Sequence, residues 1–343
     1  MARQIELGLD TFGDITTGPD AQPHTHAHVI RDVIEQGVLA DDVGVDAFGV
    51  GEHHRADFAV SSPDMVLAAI AGRTKRIWLG SAVTVLSSDD PIRVFQRFST
   101  LNAASNGRAE VTLGRGSFIE SFPLFGYELS DYEKLFEEKL DLFAALLHGG
   151  PVDWNGTTRP PLNKQPVFPP IESGTLRAWI GVGGSPESVV RAVRYDLPLM
   201  LAIIGGDPKR FLPYVDLYRR AYAQVGKPMK EIGVHSHGYV AATDELAREE
   251  LWPDYKRMRD RIGSERGWPP MTRAEFDNEA DHGSLYVGAP ETVARRIAAT
   301  VKALGLQRFD MKYSAGTLSH EKIMRCIELF GEKVMPMVRD MVV

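Results

Sequence analysis

Residues 177–192, RAWIGVGGSPESVVRA, contain one complete unit of strand, turn and helix. The apolar run ends at two glycines, and Ser185 can then accept a hydrogen bond from a free amide at the start of a helix. Pro186 suits the first helical position, because its φ is preset and its missing N–H would have no partner there. A buried strand followed directly by a capped helix is typical of a parallel sheet with crossover helices. This stretch therefore predicts an α/β fold.

The same unit recurs along the chain, where runs rich in Val, Ile and Leu alternate with longer segments of helical periodicity. Capping residues precede prolines at Ser62-Pro63, Asp90-Pro91, Ser185-Pro186 and Asp207-Pro208, with a weaker relative at Ala289-Pro290. We predict strands at 5–11, 46–51, 77–85, 109–113, 177–182, 197–203, 232–240 and 307–313. Further helices are predicted near 27–43, 131–148, 244–262 and 319–338.

Eight such units predict an α/β chain folded as a single (β/α)8 barrel, a TIM barrel, over residues 1–343. The main alternative is a doubly wound open sheet, but its G-x-G-x-x-G turn is absent after the first strand, where residues 8–18 read GLDTFGDITTG. Three long segments are interpreted as insertions, namely 12–26, 149–176 and 263–284. We expect the first and third to cover a site at the C-terminal face of the barrel. The second, rich in proline, is expected to contain a hairpin with a structural role.

The composition disfavours several classes of protein. Lys and Arg number 39 against 46 Asp and Glu, a net charge of −7, which disfavours binding to nucleic acid or to acidic membranes. The single cysteine, Cys326, rules out an intramolecular disulfide, and its apolar helical surroundings indicate a buried structural residue. No apolar run is long enough to span a membrane. Since no secretion signal is recognisable either, we expect a soluble cytoplasmic protein.

Polar residues and glycines follow the predicted strands, where a (β/α)8 barrel places its chemistry. The second strand ends in Glu52, His53 and His54. Adjacent residues of an extended segment point to opposite sides, so the two histidines are not expected to bind one metal ion together. We expect one imidazole, His53 in preference to His54, to face the cleft. It would act there as an acid or base, or hydrogen bond to a loop backbone.

The seventh predicted strand, IGVHSHGYV at 232–240, carries polar residues within it. Alternation places His235, His237 and Tyr239 on the face opposite the apolar side chains. We therefore predict that the histidines point into the barrel, with His237 as a candidate catalytic residue. Nothing in the sequence supplies a third ligand beside them, so no metal is assigned.

The turn after the fifth predicted strand has the features of an anion site. Gly183 and Gly184 allow a ligand to approach the backbone, Ser185 caps a helix whose first amides are free, and Ser188 adds a hydroxyl. Arg115, which follows the fourth strand, would add a fixed positive charge. A phosphate site is one interpretation, and an ordinary strand-to-helix turn with a good cap is the other.

Five motifs in order resemble the bacterial luciferase-like, flavin-dependent monooxygenase family. They are EHH at 52–54, GSAVTVLSSDDPIRVFQ at 80–96, SNGRAEVTLGRG at 105–116, GVGGSPESVVRA at 181–192 and VGAPETVARRI at 287–297. The resemblance implies a (β/α)8 barrel that uses reduced FMN and O2 to oxidise a small organic substrate. It also implies a separate flavin reductase and a homodimer formed through helices two and three, for which the apolar segment 63–71 is suited.

The resemblance also implies roles for individual residues. Glu52 and His53 match the family's Glu-His pair beside the flavin ring. Ala82 and Val83 match a non-prolyl cis peptide under the ring, and the neighbouring Thr84 is assigned to the same cofactor site. Arg115 matches the arginine that meets the FMN phosphate, together with the turn formed by Gly183, Gly184, Ser185 and Ser188. Residues 263–284 match the family's mobile loop.

Two departures leave alternatives open. Gly114 stands where the luciferases proper have a cysteine, which argues against light emission, and Arg191 could add a salt bridge to the phosphate. A deazaflavin-dependent oxidoreductase or a flavin reductase on the same barrel is one alternative function. A non-catalytic flavin-binding partner subunit is another.

Overall fold

Parallel strands form the centre of the protein and helices surround them. The computed structural model describes residues 4–116, 118–172 and 176–342. Within these residues the strands are β1 (Glu6–Thr11), β2 (Ala47–Val50), β3 (Trp78–Ser81), β4 (Thr84–Val85), β5 (Ala109–Gly114), β6 (Val152–Trp154), β7 (Leu162–Gln165), β8 (Arg177–Val182), β9 (Leu199–Ala202), β10 (Ile232–Val240), β11 (Tyr286–Gly288) and β12 (Arg308–Lys312). The helices are α1 (His26–Asp42), α2 (Pro63–Ala71), α3 (Pro91–Ala104), α4 (Ser121–Phe125), α5 (Tyr132–Leu147), α6 (Pro186–Arg194), α7 (Leu212–Val225), α8 (Asp244–Arg266), α9 (Arg273–His282), α10 (Pro290–Leu304), α11 (His320–Leu329) and α12 (Met335–Val342).

Eight of the strands close into a barrel. They pair in the order β1, β2, β3, β5, β8, β9, β10 and β12, and β12 returns to β1. All of these pairings are parallel, and each barrel strand is followed by a helix. The predicted (β/α)8 barrel is therefore confirmed. None of the helices in the described residues is long and apolar enough to cross a membrane.

The barrel strands turn apolar side chains toward the helices and polar ones inward. On β12, Phe309 and Met311 are fully buried in the apolar core, while Arg308, Asp310 and Lys312 line the interior cavity. This alternation is that of a strand with two unlike faces. The predicted inward direction of the β10 histidines follows the same rule and is confirmed, since His235 and His237 both line the cavity.

Glycines make room for the inward charges. A Cβ atom at Gly8 would lie 2.1 Å from Oδ1 of Asp310, and one at Gly80 would lie 2.7 Å from Cγ of Glu110. Contacts that short do not occur between real atoms, so a larger residue at either position would displace a buried carboxylate. The glycines are thus part of the packing of the charged interior.

Three details of the secondary structure differ from the predictions. The strand predicted at 77–85 is interrupted after Ser81 and resumes as the short β4, and the Ala82-Val83 peptide bond between the two parts is cis. β11 was not predicted and pairs with the end of β10. Ser62 was predicted to cap α2, but its side chain makes no capping hydrogen bond. Asp90 does cap α3, accepting from the N–H groups of Ile92 and Arg93.

The three predicted insertions have different structures. Residues 149–176 contain the expected hairpin, formed by β6 and β7, although 173–175 lie outside the described residues. Residues 263–284 include the end of α8 and all of α9, so this segment is largely helical. The 12–26 segment contains only isolated bridges, and of its residues Phe12 alone is among those that line the cavity within the described part of the chain.

Asp41 fastens the end of α1 to the turn before β3. Its carboxylate accepts hydrogen bonds from the N–H groups of Lys75, Arg76 and Ile77 at 3.1, 2.9 and 2.8 Å. Burial alone would raise the pKa of Asp41, but these donors outweigh it and the pKa is lowered. The carboxylate therefore stabilises the fold in its charged form.

Asp41→Ala should lower the free energy of unfolding by about 2–3 kcal/mol near neutral pH, because hydrogen bonds to a charged group are lost and the amides stay buried. A lowered pKa adds stability above the unfolded value and loses it on acidification, so the difference should shrink below about pH 4. Urea unfolding near neutral pH and below about pH 4 measures the free energy of unfolding of both proteins. The exposed Asp42→Ala is the control, and equal effects of the two substitutions would contradict the assignment.

Candidate active site

A cavity of about 850 Å³ opens at the C-terminal ends of the barrel strands. This volume is in the range of sites that enclose a ligand the size of a drug or cofactor. Its floor is formed by inward residues of the strands, and its walls by the segments after β1, β2 and β5. Tyr255, Met258, Trp268 and Met271, from α8 and the residues after it, line the outer part.

Paired charges form the floor. Nε of Arg308 donates to both carboxylate oxygens of Asp310 at 2.8 and 2.9 Å, and its Nη1 donates to Glu110. His235 Nδ1 lies 2.6 Å from Asp10 Oδ2. Burial raises the pKa of Asp310 to about 6, against the effect of Arg308. Burial would lower the pKa of His235, but the charge and hydrogen bond of Asp10 outweigh it and the pKa is raised.

Lys312 closes the floor toward the first βα segment. Its ammonium group is fully buried and donates to Asp14 Oδ2 at 2.9 Å and to Ser314. It also lies 4.6 Å from the centre of the Phe12 ring. The residues that follow β1 are thereby fixed to the end of β12, and with them the aromatic wall of the cavity.

His237 presents a polar atom to the cavity without a partner. Its Nδ1 is buried and makes no hydrogen bond within the described residues. The ring lies edge-on to Tyr255 of α8, with 5.9 Å between the centroids. Burial, followed by the nearby Lys312 and His235, lowers the pKa of His237 well below its ordinary value. A neutral imidazole with a free nitrogen is suited to hydrogen bond to a bound ligand.

His53 stands in an aromatic cage. Its ring centroid lies 4.6 Å from that of Phe12, 4.4 Å from that of Phe58 and 5.2 Å from that of Phe118. Burial lowers its pKa to about 3, so the imidazole is neutral at physiological pH. Of the two roles that the sequence left open, this environment favours hydrogen bonding and positioning over acid and base chemistry.

His54 also lines the cavity, which differs from the expectation that only one of the two imidazoles would face it. Its Nε2 lies 2.9 Å from Oε1 of Glu52, whose Oε2 accepts the N–H of Val85 at 2.9 Å. The glutamate side chain is 8% exposed and the histidine side chain 9%. Glu52 therefore pairs with His54 and not with the neighbouring His53. An imidazole oriented by a fixed carboxylate is a common arrangement for proton transfer.

The predicted cis peptide between Ala82 and Val83 is present. Both residues line the cavity. Thr84, also assigned to the cofactor site, is not among the cavity-lining residues. It is 3% exposed, and its hydroxyl donates to Ser81 Oγ at 2.9 Å. Its role is to hold the turn after β3.

The residues predicted to form an anion site lie near one another. Arg115 and Gly183 line the cavity. Ser185 Oγ caps α6 by accepting the N–H of Ser188, and Ser188 Oγ accepts from Arg191 Nη1 at 3.2 Å. The helix N-terminus, two hydroxyls and two guanidinium groups are thus close together, although Ser185 and Ser188 do not themselves line the cavity.

Acidic side chains already contact both of these arginines. Glu133 forms an ion pair with Arg115, and its other oxygen lies 3.5 Å from Arg191 Nη2. Glu137 pairs with Arg191 and Arg194. The Glu133 side chain is 61% exposed, so its ion pair with Arg115 is on the solvent side. Gly184 has a φ of +114°, in the region that favours glycine.

Hydrogen bonds fix the cover of the cavity to the barrel. Glu279 of α9 accepts the N–H of Gly206 at 2.9 and 3.1 Å. Arg55, just after the two histidines, pairs with Glu265 near the end of α8 and with Glu120. Arg55, the aromatic cage and the charged floor were not predicted from the sequence to belong to the site. Strand alternation places Asp10, Glu110 and Asp310 on the inward face, and this pattern would have predicted the charged floor. It gives no indication of Arg55 or of the aromatic cage.

Comparison with known proteins identifies the family. The model of the luciferase-like monooxygenases matches residues 12–308. The chain belongs to this family. An alkanal monooxygenase alpha chain from Photobacterium leiognathi is 25% identical over 349 residues, which cover 92% of this chain and 95% of the relative.

Solved structures show the same fold. A monooxygenase from Streptomyces bottropensis superposes with a TM-score of 0.85 at 22% identity, covering 97% of this chain and 99% of that one. A second structure is the oxygenating constituent of 3,6-diketocamphane monooxygenase from Pseudomonas putida, a type II Baeyer-Villiger monooxygenase in complex with FMN. It superposes with a TM-score of 0.77 at 18% identity, covering 97% of this chain and 98% of that one. An F420-dependent secondary alcohol dehydrogenase superposes with a TM-score of 0.73 at 19% identity, covering 98% of this chain and 100% of that one. At these identities the likeness concerns the fold alone.

His53 should remain neutral between about pH 5 and 8, because burial lowers its pKa to about 3. Its imidazole nitrogen shifts, assigned by comparison with His53→Gln in labelled protein, should not change over this range. The unfolded chain binds the proton that folded His53 excludes, so this residue lowers stability as the pH falls below about 6.5. The exposed His148 gives an internal reference. A pH titration of the His53 shifts with a midpoint near 6.5 would contradict the burial of this imidazole in the aromatic cage.

Proposed function

We propose that this chain is the oxygenase of a two-component flavin monooxygenase. Reduced FMN, delivered by a separate flavin reductase, and O2 oxidise a small organic substrate in the cavity at the barrel mouth. The observation that carries the proposal is the cavity, which is lined by Arg115, by aromatic rings and by the paired charges of the strands. Family membership supports a flavin or deazaflavin oxidoreductase in general.

The residues present fit FMN. Arg115 would hold the phosphate together with Ser185, Ser188 and the amides that begin α6, because charge-assisted bonds to phosphate are the strong ones. Beside Gly183 there is open space where a Cβ would stand, which leaves the backbone accessible. The cis Ala82-Val83 unit would support the ring. Bound reduced FMN supplies the electrons that activate O2.

The chain's own groups then have distinct tasks. Glu52 holds His54 in position to give or take a proton near the reacting atoms. His53 and His237, both neutral, hydrogen bond to the ring or the substrate. Residues of α8 and α9 exclude water from the cavity, which strengthens each of these electrostatic interactions.

Three further assignments belong to the same proposal. The chain works in the cytoplasm, it forms one barrel domain, and it forms a homodimer in which α2 contributes to the interface. Met65 of α2 is 68% exposed, which supports the last of these. Size-exclusion chromatography with light scattering measures the oligomeric state.

The proposed activity is tested with reduced FMN, O2 and a panel of organosulfur compounds, aldehydes and alkanes. Oxygenated product and substrate-dependent oxygen consumption are expected. Release of hydrogen peroxide as the sole outcome would instead favour a non-catalytic flavin-binding subunit. Turnover with reduced deazaflavin and none with FMN would favour the deazaflavin-dependent alternative.

His54→Gln should lower product formation by on the order of 100-fold, the usual scale for a lost acid or base. Its affinity for reduced FMN should stay within about tenfold, a change of roughly 1.4 kcal/mol. His148→Gln, at an exposed position, is the matched control. Unchanged turnover in His54→Gln would remove the Glu52-His54 pair from the mechanism.

Glu133→Gln should strengthen FMN binding about two- to fivefold, since a competing surface carboxylate is worth up to about 1 kcal/mol. The effect should disappear at high salt, because screening weakens exposed charge pairs. Fluorescence titration measures both. Glu128→Gln, also exposed, should leave the affinity unchanged. Equal or weaker binding by Glu133→Gln would mean that this carboxylate does not occupy the phosphate position.

A further inference from the structure

Three potential metal ligands meet at the beginning of α1, away from the cavity. They are His24, His28 and Asp32, and one ligand atom of each lies within 4.8 Å of the others. The two imidazole centroids are 4.0 Å apart, and His28 Nε2 lies 3.5 Å from Asp32 Oδ2. None of the three is among the residues that line the cavity.

The local fold brings these side chains together. His28 and Asp32 are four residues apart and so lie on one face of α1. Thr25 caps the helix by accepting the N–H of His28, which places His24 directly before the first turn. Thr16 Oγ1 lies 3.0 Å from His24 Nδ1 and leaves Nε2 as the nitrogen available to a ligand. A hydrogen bond to the far nitrogen is the usual way in which a metal-binding imidazole is oriented.

An unsatisfied buried oxygen points independently to a cation. Asp32 Oδ2 is buried and has no hydrogen-bond partner in the described part of the chain. The Asp32 side chain as a whole is 13% exposed. A buried carboxylate oxygen without a partner is costly. A bound cation would remove that cost.

Neither neighbouring imidazole makes a hydrogen bond to this oxygen. His28 Nε2 lies 3.5 Å and His320 Nδ1 lies 3.9 Å from Asp32 Oδ2, beyond the usual range of a hydrogen bond. His320 Nδ1 lies 3.1 Å from Gln36 Nε2, and Gln36 Oε1 accepts the Tyr313 hydroxyl at 2.7 Å. The amide therefore donates to His320 Nδ1, which is an acceptor and has no proton for Asp32.

We propose that His24, His28 and Asp32 bind one divalent transition-metal ion of the zinc class. Two imidazoles and a carboxylate suit Zn²⁺, and water would complete a tetrahedral site. With bonds of about 2.0–2.2 Å, ligand atoms of such a site lie about 3.4 Å apart, close to the 3.5 Å between His28 and Asp32. Imidazole ligands disfavour Mg²⁺ and Ca²⁺.

The site would join two parts of the fold. His24 lies near the end of the 12–26 segment, and His28 and Asp32 belong to α1. The same segment carries Phe12 and Asp14, which contact the cavity floor through Lys312. A metal ion here would therefore fasten the outer end of a segment whose inner end shapes the cavity.

Calorimetric titration of the full, untagged chain with ZnCl2 tests the proposal. One equivalent should bind with a micromolar or lower Kd, and MgCl2 should give no binding. His28→Gln and Asp32→Asn should each weaken binding by about tenfold or more, the scale seen when support for a metal site is lost. Co²⁺ bound to the unaltered chain should give the visible absorption of a tetrahedral ion.

His26→Gln is the matched control, because His26 is exposed in the same segment and is not one of the three ligands. It should leave the affinity unchanged. His24→Gln provides a second ligand variant if Asp32→Asn fails to fold, which circular dichroism without metal would reveal. The proposal is overturned if the unaltered chain binds Zn²⁺ no more tightly than millimolar, or if binding survives undiminished in the ligand variants.

Discussion

Arg308 is the charge on which the interior of this barrel depends. It is 3% exposed, and a buried guanidinium is tolerated only when it is fully paired. Its hydrogen-bond partners come from two strands, Asp310 on its own strand and Glu110 on β5. Arg177 of β8 extends the network to Glu6 of β1 at 2.6 Å. Opposite sides of the barrel are thus joined by ion pairs, where a TIM barrel more often has layers of branched apolar side chains.

The cavity follows from this constraint. Side chains that pair with one another across the floor do not fill the space above it, and the glycines of β1, β2 and β3 add further room. Above the charged layer the wall becomes aromatic, with Phe12, Phe58 and Phe118 around His53. The segment between α8 and α9 adds Trp268 and Met271. A charged floor below an aromatic wall suits a ligand with a planar ring, a polar edge and a charged tail, and FMN is such a ligand.

The barrel was predictable from the sequence because it depends on local signals. Strand periodicity and proline-capped helix starts are properties of short segments, and they identified all eight barrel strands. The break after Ser81 was not visible in those patterns, since the cis bond at Ala82-Val83 entered only through the family resemblance. β11 was missed for a different reason, because three residues are too few to show a period.

The candidate site was predictable only in part. Residues at strand ends were found, and so was the inward direction of His235 and His237. The partner of Glu52 was not, because its pairing with His54 depends on how the chain turns after β2. The cage around His53 combines residues that are far apart in the sequence. Glu133, which forms an ion pair with Arg115, belongs to a helix that was predicted from the sequence without any site role.

The central claim is that the anion site at Arg115 and the start of α6 anchors a flavin whose ring enters the barrel. Titration with FMN and with riboflavin, followed by quenching of protein fluorescence, tests it most directly, since the two ligands differ only in the phosphate. FMN should bind with a micromolar Kd and riboflavin about tenfold or more weakly, as the loss of charge-assisted hydrogen bonds predicts. Equal affinities, or no binding of either ligand below millimolar concentration, would contradict the account.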